Sequence, residues 1–335
     1  MTVFSLGLCA LVAVLYHLMP RLTRPELYFA VTVSATFRAQ PEARAALGRY
    51  RAWVWFHAVT AAALIALGAQ LHREVLFSVS LAWQLVGSLQ AFLAARRAVL
   101  PYAAAPSTIR EATLVPERRA LPGGPLAQLG PFLLLAVAAV ALTLHPGRAV
   151  AHSPLGVLGV LLTGAMPCAL LLLLAYGILS WSRRVRATGE PAERERQFRG
   201  ATLVVLLGAE YLVALRVALV ALSPLATSAQ GRAPLIVMLV ELALVIGAVT
   251  WLMRLSHGRA GSAAPHEGTP QPIGDRTADA SWRWGIFYFD PSDPAVFVEK
   301  RFGIGYTLNF GSRQSWLILA LVVIVPLVSS LLARR

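Results

Sequence analysis

The sequence predicts an all-α polytopic membrane protein with eight transmembrane helices and a small cytoplasmic β-hairpin or meander near the C-terminus. Three observations carry that prediction. The 335-residue chain is 57% apolar and only 14% charged, whereas an ordinary soluble domain is about 45–50% apolar and about 25% charged. The apolar residues gather in runs of the ~20 residues that a helix needs to cross a bilayer. The 30 basic residues, 29 of them arginine, collect in alternate loops between those runs, as membrane topology requires. Such hydrophobicity excludes an intrinsically disordered chain. The net charge of +14 is then a consequence of topology, and nucleic acid is not an expected partner because no recognition motif accompanies the charge.

The expected spans are residues 2–19, 52–71, 74–95, 126–144, 155–181, 200–222, 234–255 and 315–332. The first lacks a basic leader and a small-residue cleavage site, so it reads as a retained span. Residues 28–37 alternate, with Phe29, Val31 and Val33 opposing Thr32 and Ser34, which predicts a short strand. Pro41 opens an amphipathic helix, 42–51, that leads into span two. Only His72 and Arg73 separate spans two and three, which predicts a tight helical hairpin. The loop after span three carries Pro101, Pro106, Pro116, Pro122 and Pro125 and is expected to be irregular. In span five, Gly159 and Thr163 allow close helix contact, while Pro167, like Pro326 in span eight, frees a carbonyl and kinks its helix.

Beyond span seven, residues 256–281 are rich in Gly, Ser, Ala and Pro and read as a flexible tether. Residues 285–289 are β-prone, Asp290-Pro291-Ser292-Asp293-Pro294 is turn chemistry with two Asp side chains to cap it, and 295–298 and 302–309 supply further strands. The expected organisation is a seven-span bundle over 1–255, the tether over 256–281, an aromatic, Gly- and Pro-rich cytoplasmic domain over 282–311, and the eighth helix over 315–332. One set of alternate loops holds 24 basic residues and the other side five. The richer side is cytoplasmic by that rule, which puts both termini outside. The Arg-, Ala- and Leu-heavy usage is that of a GC-rich bacterial genome, so the expected location is a bacterial cytoplasmic membrane.

Ionisable residues inside spans are functional candidates because each is costly in a bilayer unless paired. Glu210 and Arg216 fall in span six and Glu241 in span seven. At 1.5 Å per residue, Arg216 lies ~9 Å and Glu241 ~10 Å from the outer ends of adjacent antiparallel helices, so an Arg216–Glu241 ion pair is expected. Glu210 is deeper, ~18 Å, and is expected to be a neutral acid, either bonded to another helix or carrying a proton. Ser80, Gln84 and Ser88 make one polar stripe on span three, facing protein. His17 and His57 read as polar anchors near span edges. Cys9 and Cys168 are ordinary apolar residues within runs. His72, His145 and His152 share the outer side but match no metal-site spacing. No phosphate loop or nucleophile motif occurs, so neither cofactor, metal nor catalysis is expected.

The segment Trp282-Arg283-Trp284-Gly285-Ile286-Phe287-Tyr288-Phe289-Asp290-Pro291-Ser292-Asp293-Pro294, followed by Phe297-Val298-Glu299-Lys300-Arg301-Phe302-Gly303-Ile304-Gly305-Tyr306-Thr307-Leu308-Asn309-Phe310, resembles a C-terminal domain of unknown function found in bacterial multi-span membrane proteins just before a last span. Many such proteins are similar to the Sdp-type toxin-immunity membrane proteins. The resemblance implies a non-catalytic sensor or immunity-like component whose cytoplasmic face, 28–37 with 282–310, contacts a membrane or cytoplasmic protein. Asp290 stands where that pattern usually has Asn, and the loop at 145–154 lacks the full Pro- and His-containing signature of those relatives. Within the motif, Lys300 is the only lysine in the chain. With Arg301 it is expected to reach an anionic lipid headgroup or a partner, or to snorkel at the surface. The alternative to an interaction role is a small-molecule or proton-coupled transporter using Glu210, Arg216 and Glu241.

Overall fold

The computed structural model describes residues 2–21, 23, 26–34, 36–73, 75–104, 120–144, 154–182, 190–222, 233–257, 275 and 277–332. Among them are eight α-helices: α1 (Thr2–Leu18), α2 (Pro41–Gln70), α3 (Val75–Val99), α4 (Gly124–Leu144), α5 (Pro154–Trp181), α6 (Glu190–Leu222), α7 (Ala233–His257) and α8 (Arg313–Leu332). Three separate two-stranded sheets join β1 (Leu27–Tyr28) to β2 (Val31–Thr32), β3 (Trp282–Arg283) to β4 (Phe287–Tyr288), and β5 (Phe297–Glu299) to β6 (Tyr306–Leu308).

The chain is a membrane protein. Six described stretches are long and apolar enough to cross a bilayer: Pro41–Gln70, Val75–Tyr102, Gly124–Leu144, Val157–Trp181, Arg196–Leu222 and Arg313–Leu332. Six of the eight expected spans are thus met among the described residues. Helix α1 has 17 residues, ~26 Å at 1.5 Å each, which falls short of the ~30 Å hydrocarbon core. In α7 the described apolar stretch is only Ala243–Leu252. The histidines His145 and His152, residues 258–274 and 276 of the tether, and residues 105–119 of the loop after α3, with Pro106 and Pro116, lie outside the described residues.

Two compact units divide the chain: Met1–Glu111 with Ser256–Phe289 and Glu299–Thr307, and Ala112–Leu255 with Asp290–Val298 and Leu308–Arg335. The stretch 282–311, expected as one domain, is thus shared between them.

In the first unit, Pro41 sits at the start of α2, where its missing N–H costs nothing, and the helix runs unbroken to Gln70. The amphipathic helix at 42–51 and span two are therefore one element. The turn after it is as tight as the sequence predicts: His72 takes φ +51°, and the Arg73 N–H donates to the Gly68 carbonyl at 2.9 Å. His57 is not at a span edge but buried against Gly87 of α3, where any Cβ would overlap its ring. Ser80, Gln84 and Ser88 all face inward, and Gln84 Nε2 donates to the Cys9 carbonyl at 2.8 Å.

The single strand expected over 28–37 is instead a hairpin. Leu27 pairs with Thr32 and Tyr28 with Val31, and Phe29 and Ala30 turn the chain at φ +46° and +60°. Such backbone costs a non-glycine residue about 1–2 kcal/mol. The offset is burial: Phe29 is fully enclosed, with its ring near those of Tyr28, Tyr50, Phe92 and Phe302.

In the second unit, α4, α5, α6 and α8 pack on one another. Pro131 lies inside α4 and leaves the Ala127 carbonyl without its helical donor. The Tyr211 hydroxyl of α6 fills that place, donating to Ala127 O at 3.0 Å. Gly130 makes the notch, since a Cβ there would overlap the same hydroxyl. Close helix approach in α5 occurs at Gly164, whose Cβ would meet Leu135 at 2.6 Å, and not at Gly159, which faces only the Leu332 carbonyl at 3.9 Å.

Candidate functional site

Arg301 organises the first unit. Its Nε and Nη2 donate to the two carboxylate oxygens of Asp275 at 2.9 and 2.7 Å, and Nη2 also reaches Thr277 O and Oγ1 at 2.6 and 2.9 Å. Nη1 is paired with Asp279, and the guanidinium lies 5.2 Å from the centre of the Trp282 ring. Asp279 also accepts from Thr32 N and Oγ1 at 3.2 and 2.7 Å, which fastens strand β2 to the same knot. Burial penalises the charged guanidinium, but Asp275 and Asp279 hold its pKa above the ordinary arginine value. Thus Arg301 does not reach a headgroup or a partner, as its place beside Lys300 had suggested. It is fully buried, and only Lys300 is exposed.

Two more arginines clamp the β1–β2 hairpin. Arg96, in the last turn of α3, donates to the Ala30 carbonyl at 2.6 Å. Arg38 donates to the carbonyls of Pro20, Thr23 and Leu27 at 3.3, 3.2 and 3.0 Å. Gly285 is required beside Arg96: it takes φ +78°, and a Cβ would come within 2.8 Å of Arg96 Nη1.

Asn309 plays the matching role in the second unit. Its Nδ2 donates to the carbonyls of Asp290, Asp293 and Ala295 at 2.9, 3.1 and 3.1 Å, and its Oδ1 accepts from the N–H groups of Asp290 and Gly311 at 3.0 Å each. The aspartates cap the turn as their positions imply: Asp290 Oδ1 accepts from Ser292 N at 2.9 Å and Asp293 Oδ1 from Ala295 N at 3.0 Å. An Asn oxygen at 290 would serve equally, so the Asp there leaves the turn intact. Pro291 and Pro294 lie exposed on its surface. Gly303 and Gly305, at φ +91° and +99°, bend the chain between β5 and β6.

Much of the expected contact surface therefore faces inward: Tyr28–Val33, Trp282, Tyr288, Arg301 and Asn309 are all buried. Exposed aromatic side chains lie at the β3–β4 tip. Trp284, at φ +54°, is 67% exposed and Phe287 39%, with ring centres 6.0 Å apart. Beside this tip is a cavity of about 310 Å³ lined by Leu89, Phe92, Ile286, Phe287, Lys300 and Phe302 among others.

Of the intramembrane candidates, Arg216 and Glu241 form an ion pair, with side chains 62% and 20% exposed. Glu210 is fully buried, and neither carboxylate oxygen has a partner among the described residues. Its neighbour is Cys168, whose thiol donates to the Glu210 backbone carbonyl at 3.4 Å. Among the described residues, no three His, Cys, Asp or Glu side chains cluster as a metal site would need.

Sequence reasoning missed the partners of Arg301, because Asp275 and Asp279 lie in a stretch that reads as tether. It also missed Tyr211, although Gly130-Pro131 within an apolar helix marked an unfilled carbonyl. Arg51, counted only as a loop charge, has Nε and Nη2 buried without an acceptor among the described residues.

Residues 291–316 match a family of unknown function, DUF5808. That segment holds Asn309 with all of its partners but Asp290, and the start of α8. No curated protein and no solved structure matches the chain.

Proposed function

We propose that the chain is a non-catalytic interaction component of a bacterial cytoplasmic membrane, sensor-like or immunity-like, that contacts a protein partner through the β3–β4 tip. The carrying observation is the contrast within one motif: Trp284 and Phe287 are exposed while Trp282 and Tyr288, on the paired strands beside them, are buried. Exposed aromatic residues held on a fixed turn are typical anchors of protein contacts, and the cavity beside them would accept an apolar side chain. The 24-to-5 distribution of basic residues supports a cytoplasmic location for this tip and outside termini. All eight helices would span, α1 being the shortest of them. Neither a cofactor nor nucleic acid belongs to this reading.

The test is crosslinked capture from the native host with the full chain and with Trp284→Ala/Phe287→Ala. A partner lost from the double variant, while its melting temperature is unchanged, would support the reading once the purified pair shows the same difference. Equal capture by both chains would sink it.

A second reading, proton-coupled transport, is favoured by Glu210 alone, a fully buried acid without a partner among the described residues. Loss of solute uptake in Glu210→Gln at normal membrane abundance would favour it, and unchanged uptake across a solute panel would end it.

A further inference from the structure

Four arginines of the first unit lie in or near its core, and three have acceptors. Arg38, Arg96 and Arg301 each bind carbonyls or carboxylates. Arg51 differs. It follows Tyr50, which is buried and donates to the Tyr16 carbonyl at 2.7 Å. Both Arg51 Nε and Nη2 are buried, and neither finds an acceptor among the described residues. These two nitrogens form one edge of the guanidinium, the edge that Arg301 presents to the two oxygens of Asp275. That edge fits the paired oxygens of a carboxylate or a phosphate. Arg21 is close enough to repel Arg51, so the site concentrates positive charge with two open donors at its centre. Arg51 is half-buried, and enclosed donors in that state are expensive unless an anion completes them.

The depth of the site indicates where the anion comes from. Arg21 ends the short turn after α1. One helical turn along α2 from Arg51, Trp55 donates to His17 Nδ1 at 3.1 Å, and Trp53, Trp55 and Phe56 are exposed on the surface of this membrane helix. Tryptophans so placed mark the level at which a spanning helix meets the headgroups. We propose that Arg51, with Arg21, binds the phosphate of an anionic phospholipid drawn from the surrounding bilayer, its acyl chains lying along the aromatic face of α2. Lys300 is not part of this site.

Purified full-length protein in mixed phosphatidylglycerol–phosphatidylcholine nanodiscs, extracted gently and weighed by native mass spectrometry, tests the assignment. The wild type should retain phosphatidylglycerol over phosphatidylcholine by about tenfold, as expected for two arginines facing a phosphate whose charge, unlike that of phosphatidylcholine, is not offset by a choline cation. Arg51→Gln should abolish the preference, Arg51→Lys should keep part of it because charge survives without the paired edge, and Arg44→Gln, on an exposed face of the same helix, should leave it intact. If Arg51→Gln does not fold, Arg21→Gln carries the test, since Arg21 is exposed, and it should weaken the preference several-fold. Equal retention of the two lipids by the wild type would overturn the proposal. So would undiminished phosphatidylglycerol retention in whichever of these Gln variants carries the test. Displacement of the lipid by inorganic phosphate would equally overturn it, by making the site one for a soluble anion.

Discussion

Arg301 and Glu210 are both fully enclosed and carry opposite ionisable groups, yet their surroundings differ completely. Arg301 has acceptors for Nε, Nη1 and Nη2 from an aspartate pair and Thr277. Glu210 has none for either oxygen among the described residues. A charge with every donor satisfied is part of the architecture, and removing it strands its partners. An acid with nothing bound holds up no neighbour, so whatever keeps it in place is not hydrogen bonding within the described chain. The aromatic motif near the C-terminus belongs to the first kind, as Asn309 repeats in the second unit what Arg301 does in the first.

Substitutions can break that contrast at either end. Arg301→Met should have the largest effect, about 3–5 kcal/mol, because it leaves Asp275 and Asp279 without their counter-charge. Thermal denaturation in detergent reads it, and a wild-type melting curve would refute the architectural role. Asn309→Ala leaves three carbonyls and two N–H groups short of partners, which should cost about 2–3 kcal/mol and speed proteolysis within 290–298. Gly285→Ala forces a Cβ toward Arg96 at positive φ, for about 1–2 kcal/mol. Tyr211→Phe removes one hydrogen bond, to the carbonyl that Pro131 frees, and should cost about 1 kcal/mol. Glu210→Gln should change stability by less than about 1 kcal/mol, since its side chain makes no hydrogen bond among the described residues that would be lost. A loss as large as that of Arg301→Met would mean that Glu210 is an ionised partner in a network, and the contrast would fail.

The helices were legible because each is an apolar run closed by charge or proline, and the tight turn at His72 because nothing else separates two runs. The Arg216–Glu241 pair was legible from depth alone, as helical rise converts sequence distance into height. Local pattern could not reveal the β1–β2 hairpin, since its turn falls on Phe29 and Ala30, with neither Gly nor Asn to announce it. That turn is imposed by packing from distant residues such as Phe302. The direction of Arg301 was hidden for a related reason: a loop rich in small residues gives no sign that two of its aspartates are fixed to a buried cation. Arg51 was obscured by its place in a tally of loop charges, which records sign and side but not whether a donor is satisfied.

The Arg301–Ala30 bond spans 271 positions, and Asp279 reaches Thr32 across 247. During synthesis, then, helices α2 and α3 enter the bilayer long before the residues that lock the hairpin beside them leave the ribosome. Until then Phe29 and Ala30 have no Arg301 clamp, and their strained turn lacks part of its support. The newborn first unit must wait in a loosened form for its own distal segment, a stretch of time in which insertion factors and membrane proteases have access to it. A chain truncated before Arg301 should therefore be cleared even though its first three helices are intact.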